Sequence, residues 1–178
     1  MTAKSHLTTT LAIGILPLYL FKNELVYIFD YIAVYIIGLV IGSLLPDIEE
    51  SNSVVGRKVP LLSEWLNKSI GHRTHTHNIL IYILIFLFAY YKSLHSSEFI
   101  FILLIGFSLG SILHILEDCL TNSGVRGAMN PIIKNFVILK EKYRFNTDGK
   151  FENFVYYPII SIILISEAAI FVRYILQY

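Results

Sequence analysis

The stretch FIFILLIGFSLGSILHILED, residues 99–118, decides the fold, because it is apolar almost throughout and ends in ionisable side chains. An α-helix needs about 20 apolar residues to cross the hydrocarbon core of a bilayer. The whole chain has the same character: of its 178 residues, 55% are hydrophobic and 15% are charged. Soluble domains carry about 25% charged residues. The composition excludes an ordinary soluble globule and a disordered chain, and it predicts one small integral membrane domain over residues 1–178.

Apolar segments that could cross or enter a membrane occur five times, at 7–21, 26–45, 79–94, 99–116 and 155–176. The first of them could be a re-entrant or partly buried helix. No small-x-small cleavage site follows it, so we expect an uncleaved helix rather than a signal peptide. The sequence therefore predicts an all-α integral membrane bundle of four to five membrane helices, with two long polar segments at 46–78 and 117–154.

The distribution of basic residues predicts an orientation. If all five segments cross, both long polar segments and the N-terminus lie on the same side, which holds all of the 14 Lys and Arg residues except Lys22, Lys92 and Arg173. The positive-inside rule places that side in the cytoplasm, and the predicted location is the inner membrane, crossed several times. The net charge of +1 does not indicate a nucleic-acid binder, and one cysteine excludes an intramolecular disulfide.

Ionisable residues lie at the ends of the apolar segments, and strict alternation of the helices puts them all at one membrane face. They are His6, Asp47, the run His72-Arg73-Thr74-His75-Thr76-His77, His114, Asp118 and Glu152. The opposite face holds a single histidine, His95. Charge at such positions is costly and usually has a partner or a function. The shared side therefore predicts that these residues form one site.

The spacing of His114 and Asp118 predicts a metal site. Residues four apart lie on one helical face, so both can reach the same ion. Together with Asp47 and one or more histidines of 72–77 they form a mixed nitrogen and oxygen set. Such a set suits zinc, with manganese or iron possible and calcium less favoured. No HExxH sequence is present, so a zincin-type protease is not predicted.

Each of these residues also has a purely structural interpretation. His6 could be solvated, Asp47 could cap a helix end, and 72–77 could be an interfacial cluster at a helix start. His114 and Asp118 could be a hydrogen-bonded pair between helices. The common side and depth of all these positions favour the metal site.

Further residues are predicted around this site. Glu117 points about 100° away from Asp118 on a helix and is predicted to lie at the rim. Arg73 is the nearest basic residue that could hold a phosphate, and Arg126 is a second. For Arg126, contact with a lipid headgroup is the favoured interpretation. The basic segment 134–150 could rest on anionic lipid.

At these residues the sequence resembles the YdjM-type family of membrane-bound, predicted metal-dependent hydrolases of bacteria and archaea. The matching stretches keep their order over nearly the whole chain. They are Ser5-His6 with Gly14, Gly42–Glu49, His72-Arg73 through Thr76-His77, and His114–Asp118 with Thr121, Gly124 and Pro131. That family is in turn distantly similar to the zinc-dependent phospholipase C and single-strand nuclease superfamily. Members of this superfamily are all-helical enzymes that cleave phosphate esters with clustered zinc ions, which implies a phospholipase C-like helical core.

The resemblance implies a ligand set, carried over residue by residue. The implied metal ligands are His6, Asp47, His77, His114 and Asp118, with His72 at a family position. Asp118 would be the bridge between two ions. Glu49 replaces the usual second aspartate, Asn78 stands where serine is common, and His75 is an extra histidine. No histidine pair follows Asp118, so one or two ions are expected, zinc or manganese.

The predicted function is a membrane-bound metal-dependent hydrolase, phospholipase C-like, that cleaves a phosphoester bond of a phospholipid or polyprenyl phosphate at the cytoplasmic face. Asp47 would ligate the ion or act as general base on the attacking water. Glu152 could supply a late carboxylate. The alternatives are a nuclease-like hydrolase at the membrane and a non-enzymatic metal-binding membrane protein. No stable nucleic-acid partner is expected.

Overall fold

A computed structural model describes the protein over residues 1–24, 29–70, 76–96, 98–125, 127–133 and 136–176. Its six α-helices are α1 (Ala3–Ile15), α2 (Phe29–Leu44), α3 (Pro60–Ile70), α4 (Ile79–Ser93), α5 (Phe99–Asp118) and α6 (Tyr157–Leu176). Short helical turns join or extend them at Leu16–Glu24, Leu45–Glu49, Gly56–Lys58, Glu141–Tyr143 and Glu152–Tyr156. The described residues contain isolated β-bridges and no β-strand. The prediction of an all-α bundle is confirmed.

Three helical stretches are long and apolar enough to cross a membrane, Phe29–Glu49, Phe99–Asp118 and Glu152–Tyr174. Helix α4 is also apolar, but it has only 15 residues. The first predicted segment folds as the 13-residue α1 followed by a 3₁₀ helix. Helix α1 ends two residues before Pro17, which lacks the N–H that an α-helix needs. The first segment is therefore shorter, as an α-helix, than a full membrane span.

Helices α2 and α5 form the most extensive contact between helices, because small residues face each other where they cross. Four glycines lie at this contact: Gly38, Gly42, Gly106 and Gly110. A Cβ on Gly42 would lie 2.1 Å from the backbone oxygen of Phe107, and one on Gly106 would lie 2.2 Å from that of Tyr35. Pairs of small residues four apart allow this close backbone approach in membrane helices. The contact fixes the end of α2 beside the last turns of α5.

Helix α3 lies inside the segment 46–78, which was predicted only as a long polar connection. Its side chains Leu61, Leu62 and Trp65 are exposed, Trp65 by 61%, and they project within about 100° of one another. Glu64 and Lys68 form an exposed ion pair on the flank of this face. The helix is therefore amphipathic, and its apolar face is not covered by the described part of the chain.

The core brings four chain segments to one end of the bundle. One hydrophobic cluster joins the start of α4 to the end of α5 through Ile79, Tyr82 and Ile115. A second cluster, which includes Tyr35 and Leu39 of α2, packs α1 and α6 against α2 and α5. As a result, the start of α1, the end of α2, the start of α4 and the end of α5 meet.

Candidate metal centre

Four of the predicted ligands meet at this end of the bundle. Asp47, His77, His114 and Asp118 each offer a ligand atom, and these four atoms all lie within 4.8 Å of one another. Asp47 lies in the 3₁₀ turn after α2, His77 shortly before α4, and His114 and Asp118 in the last turns of α5. This cluster could bind a metal ion.

The distances within the cluster suit a small divalent cation. Nε2 of His77 lies 3.4 Å from Oδ1 of Asp47, and Nε2 of His114 lies 3.6 Å from the same oxygen. Nε2 of His77 lies 3.8 Å from Oδ2 of Asp118. Ligand atoms placed about 2.0–2.1 Å from a tetrahedral zinc are about 3.4 Å from each other. The side chains are thus spaced as they would be around such an ion.

Two of the histidines are oriented by groups on their Nδ1 side. Nδ1 of His114 donates to the backbone oxygen of Ser43 over 2.7 Å. Nδ1 of His77 lies 3.6 Å from Oε1 of Glu49, whose other oxygen accepts a hydrogen bond from the Thr76 hydroxyl. A carbonyl or carboxylate in this position fixes the imidazole tautomer and leaves the lone pair of Nε2 for a metal. Nδ1 of His77 also lies 3.1 Å from the Thr76 hydroxyl, so Glu49, noted in the sequence only as a departure from the family pattern, helps to orient His77 through Thr76.

His6 adjoins the cluster through Asp118 and is buried rather than solvated. Its Nδ1 lies 2.7 Å from Oε2 of Glu117, and its Nε2 lies 3.2 Å from Oδ1 of Asp118. Its ring stacks on His114 with the centroids 3.8 Å apart. His6 is not among the four residues whose ligand atoms are mutually within 4.8 Å.

The prediction that Glu117 lies at the rim is wrong. Its side chain is almost fully buried, with 3% exposed. Helix α1 packs over this face of α5, so the residue one position before Asp118 meets another helix instead of water. Besides its contact with His6, Glu117 accepts a hydrogen bond from the hydroxyl of Thr10 over 3.1 Å. Glu117 thus contacts His6 directly, whereas Glu49 is linked to His77 through the Thr76 hydroxyl.

The buried Nε2 atoms provide a test of whether a metal fits this centre. Nε2 of His6, of His77 and of His114 is buried, and none of them forms a hydrogen bond with a residue that the structure describes. A buried polar atom without a hydrogen bond costs free energy, on the order of 1–3 kcal/mol. A cation bound by Nε2 of His77, Nε2 of His114 and the two aspartates would satisfy two of these three nitrogens, and Nε2 of His6 lies 3.2 Å from Oδ1 of Asp118. The residues present therefore fit a divalent metal.

The electrostatics of the centre favour positive charge. Burial lowers the pKa of His77, but the nearby carboxylates of Asp47 and Glu49 outweigh that effect and raise the pKa above its ordinary value. The amino group of Met1 lies 2.5 Å from Oδ1 of Asp118. A carboxylate arrangement that attracts a proton or an ammonium group attracts a divalent cation for the same reason.

Asp47 is the member of the cluster that meets solvent. Its side chain is 24% exposed, whereas the side chains of His77, His114 and Asp118 are at most 1% exposed. Asp47 lines a cleft of about 620 Å³. The cleft is also lined by Met1, Thr2, Ala3, Leu44, Glu50, Asn52, Ser53, Val54, Arg57 and Asp148. A substrate in this cleft would reach the cluster at Asp47.

The remaining predicted residues are placed elsewhere or cannot be placed. Glu152 accepts a hydrogen bond from the backbone N–H of Thr2 on one oxygen and from that of Asp148 on the other, so it stabilises the chain at the start of α1. His72, Arg73, His75, Arg126 and Lys134 lie outside the described residues. Their predicted roles stay predictions.

The fold and the centre define a class, a helical membrane protein with a buried His and Asp cluster that could hold a metal ion. Within that class, the chain belongs to the YdjM inner membrane protein family, whose profile matches residues 1–174. The resemblance seen in the motifs is confirmed at the level of this family.

Individual relatives are consistent with the family. The chain is 30% identical over 128 residues to the uncharacterized protein YvsG of Bacillus subtilis, covering 71% of each chain. It is 34% identical over 87 residues to the inner membrane protein YdjM of Escherichia coli, covering 48% of this chain and 44% of that one. The match to YdjM of Shigella flexneri has the same extent. No solved structure matches the chain significantly.

Proposed function

We propose that this protein is a metal-dependent hydrolase that cleaves a phosphoester bond of a membrane lipid at the cytoplasmic face of the inner membrane. The observation that carries the proposal is the convergence of buried imidazole Nε2 atoms on two aspartates, with each Nδ1 engaged by another group. Orienting partners of this kind are characteristic of metal-ligating histidines. A polar contact that only packs helices together would not require three imidazoles that each have a buried Nε2 without a hydrogen bond.

The ligands of the proposed ion are Asp47, His77, His114 and Asp118. Two imidazoles and two carboxylates suit zinc, and manganese is the alternative. His6 also contacts Asp118, so Asp118 lies between His6 on one oxygen and His77 on the other. A second ion bridged by Asp118 would have His6 as its only further histidine among the described residues. We therefore propose one ion.

Asp47 is proposed as the residue that handles the proton of the attacking water. A divalent ion held by these residues would supply an activated water, for which it needs a coordination position beyond its four protein ligands, and would neutralise charge on a phosphoryl oxygen. Asp47 is the exposed member of the cluster and lines the cleft, so it can orient that water and accept its proton as general base. His77, His114 and Asp118 are buried and have no direct access to a substrate. Arg73 is the proposed phosphate contact from the sequence.

The proposed substrate is a lipid because of where the centre lies. Its proposed ligands include residues at the ends of α2 and α5, two of the helices long enough to cross a membrane, and this supports a position of the centre near headgroup depth. The amphipathic α3 begins 13 residues after Asp47 and exposes Trp65, an interfacial residue in membrane proteins. We propose a phosphoester substrate because the sequence motifs imply a distant similarity to phospholipase C-like enzymes.

The cytoplasmic orientation is proposed from the excess of Lys and Arg on the side of the centre. Cysteine labelling in spheroplasts tests it, with Lys58→Cys on the side of the centre and His95→Cys on the other. A membrane-impermeant maleimide should label only His95→Cys in intact spheroplasts, since the native Cys119 is buried. Labelling of Lys58→Cys without permeabilisation would show that the centre faces the outside of the cell membrane, opposite to the proposed orientation.

Hydrolysis is tested on the purified protein in non-ionic detergent with added zinc or manganese. The substrates are a phospholipid and a polyprenyl phosphate, and the products are followed by mass spectrometry. Asp47→Asn should lower kcat by roughly 10²–10⁴-fold, the usual contribution of general base catalysis, and His95→Ala should leave it unchanged. Absence of product from both substrates with metal-loaded protein, or cleavage of a single-stranded oligonucleotide instead, would contradict the proposal.

A further inference from the structure

The loop that follows the metal centre is folded back on Asp47. The backbone oxygen of Asp47 accepts hydrogen bonds from the hydroxyl of Ser53 over 2.8 Å and from the N–H of Glu50 over 3.0 Å. Oγ of Ser53 in turn accepts a hydrogen bond from the N–H of Gly56 over 2.8 Å. The side chain of Ser53 thus connects Asp47 with Gly56, which lies nine positions further along the chain.

Arg57 is fixed in relation to Asp47 by this loop. Its N–H donates to the backbone oxygen of Ser53 over 3.1 Å. The preceding Gly56 is buried, and a Cβ there would lie 2.1 Å from the backbone oxygen of Glu50. The loop is therefore closed so tightly that only glycine fits at this position. The backbone from Asp47 to Arg57 has a defined shape, and both side chains line the same cleft.

The lining of the cleft suits an amphipathic anion. Arg57 is the one basic side chain among its described lining residues, and Asn52 and Ser53 add polar groups. Leu44 and Val54 add apolar surface, and the side chain of Val54 is exposed. A guanidinium binds a phosphate through two parallel hydrogen bonds, better than any other side chain. The volume of about 620 Å³ lies in the range of small-molecule sites.

The charge of the cleft depends on the metal. Asp47, Glu50 and Asp148 line it together with Arg57, so its side chains are negative in sum. A divalent ion at Asp47 makes the end of the cleft between Asp47 and Arg57 positive. An anion should therefore bind between the ion and the guanidinium, and only when the ion is present.

We propose that Arg57 binds the phosphate anion of the substrate in the cleft that it shares with Asp47. This proposal rests on the proposed function, because it names the subsite that holds the group to be cleaved. Arg57 lies in the described part of the chain and is distinct from Arg73 and Arg126, the residues that the sequence indicated for this role.

Binding without turnover tests the subsite separately from the hydrolase activity. Dodecyl phosphate and inorganic phosphate are titrated calorimetrically into the metal-loaded full-length protein in non-ionic detergent. Arg57→Ala should weaken binding of the alkyl phosphate by about 10- to 100-fold, the size of a charge-assisted hydrogen bond. Arg57→Lys should restore part of that loss. Lys58→Ala removes the neighbouring exposed charge, which does not line the cleft, and should change nothing.

Each result has a defined meaning. Retention of metal by Arg57→Ala shows that this variant is folded. Binding of dodecyl phosphate alone supports a lipid headgroup as the ligand, and equal binding of inorganic phosphate supports free phosphate; both support the subsite. Equal affinity of the wild type, Arg57→Ala and Lys58→Ala for dodecyl phosphate would overturn it. A missing hydrolase activity would contradict the proposed function and leave this binding result unaffected.

Discussion

The imidazoles at the centre owe their orientation to partners that do not face the proposed ion. Glu117 contacts Nδ1 of His6, Glu49 is linked to Nδ1 of His77 through the Thr76 hydroxyl, and the backbone of Ser43 accepts from Nδ1 of His114. Each partner comes from a different part of the chain from its histidine. This arrangement needs the tertiary fold, which explains why the sequence pointed to the histidines and not to the two glutamates.

Glu117→Gln tests the role of an orienting carboxylate. The variant keeps the shape of the side chain and removes the charge that holds His6. Because His6 contacts the proposed ligands Asp118 and His114 and is not itself one of the four, we expect metal affinity to fall by less than the roughly 10- to 100-fold typical of a ligand's own partner, while the protein stays folded. Competition with a chromophoric chelator measures the affinity. Glu64→Gln changes an exposed glutamate and is the matched control. Equal affinities in the two variants would show that Glu117 does not act on the centre.

At the scale of helices, the centre depends on how closely α2 and α5 approach. Asp47 follows the end of α2, and His114 and Asp118 end α5, so any separation of these helices moves the aspartates apart. The two glycine pairs, 38 with 42 and 106 with 110, are visible in the sequence as a membrane-helix packing pattern. That pattern could have predicted which helices pair.

Gly42→Ala should destabilise the protein and weaken metal binding. The added methyl group would lie 2.1 Å from the backbone oxygen of Phe107, so α2 and α5 must move apart. Overpacking of this kind costs about 1–3 kcal/mol. Thermal unfolding in detergent, with and without zinc, measures the effect. Gly127→Ala is the control, because its nearest atom is 3.4 Å away in a side chain. A Gly42→Ala variant as stable as Gly127→Ala would contradict the close contact.

Helix α3 should lie in the membrane interface, with its apolar face toward lipid. Trp65 is the single tryptophan of the chain, so its fluorescence reports on this helix alone. In proteoliposomes we expect a blue-shifted emission that phospholipids brominated on their acyl chains quench. Glu64→Gln, on the flank of the apolar face, should leave the spectrum unchanged. An emission typical of water, quenched by iodide and not by brominated lipid, would show that α3 stands away from the membrane.

For the molecule as a whole, the sequence predicted the all-helical class, and the residues that it grouped include the four that the structure brings together. The alternation of apolar segments grouped Asp47, the run 72–77, His114 and Asp118 with His6 and Glu152, and the family resemblance singled out His77 within the run. Helix α3 was missed because its pattern is short and lies in a polar segment. The prediction for Glu117 was wrong because it used only the angle between Glu117 and Asp118 on α5, whereas the burial of Glu117 depends on the packing of α1 against α5. Local periodicity identifies the elements, and packing decides which faces are covered.

The central claim is that the cluster of Asp47, His77, His114 and Asp118 holds a divalent metal. The most direct measurement is the metal content of detergent-purified protein by elemental mass spectrometry, for the wild type, His77→Ala and His95→Ala. We expect one zinc or manganese ion per chain in the wild type and in His95→Ala, and none in His77→Ala. No metal in the wild type, even after zinc and manganese are added and the excess is removed, would contradict the claim.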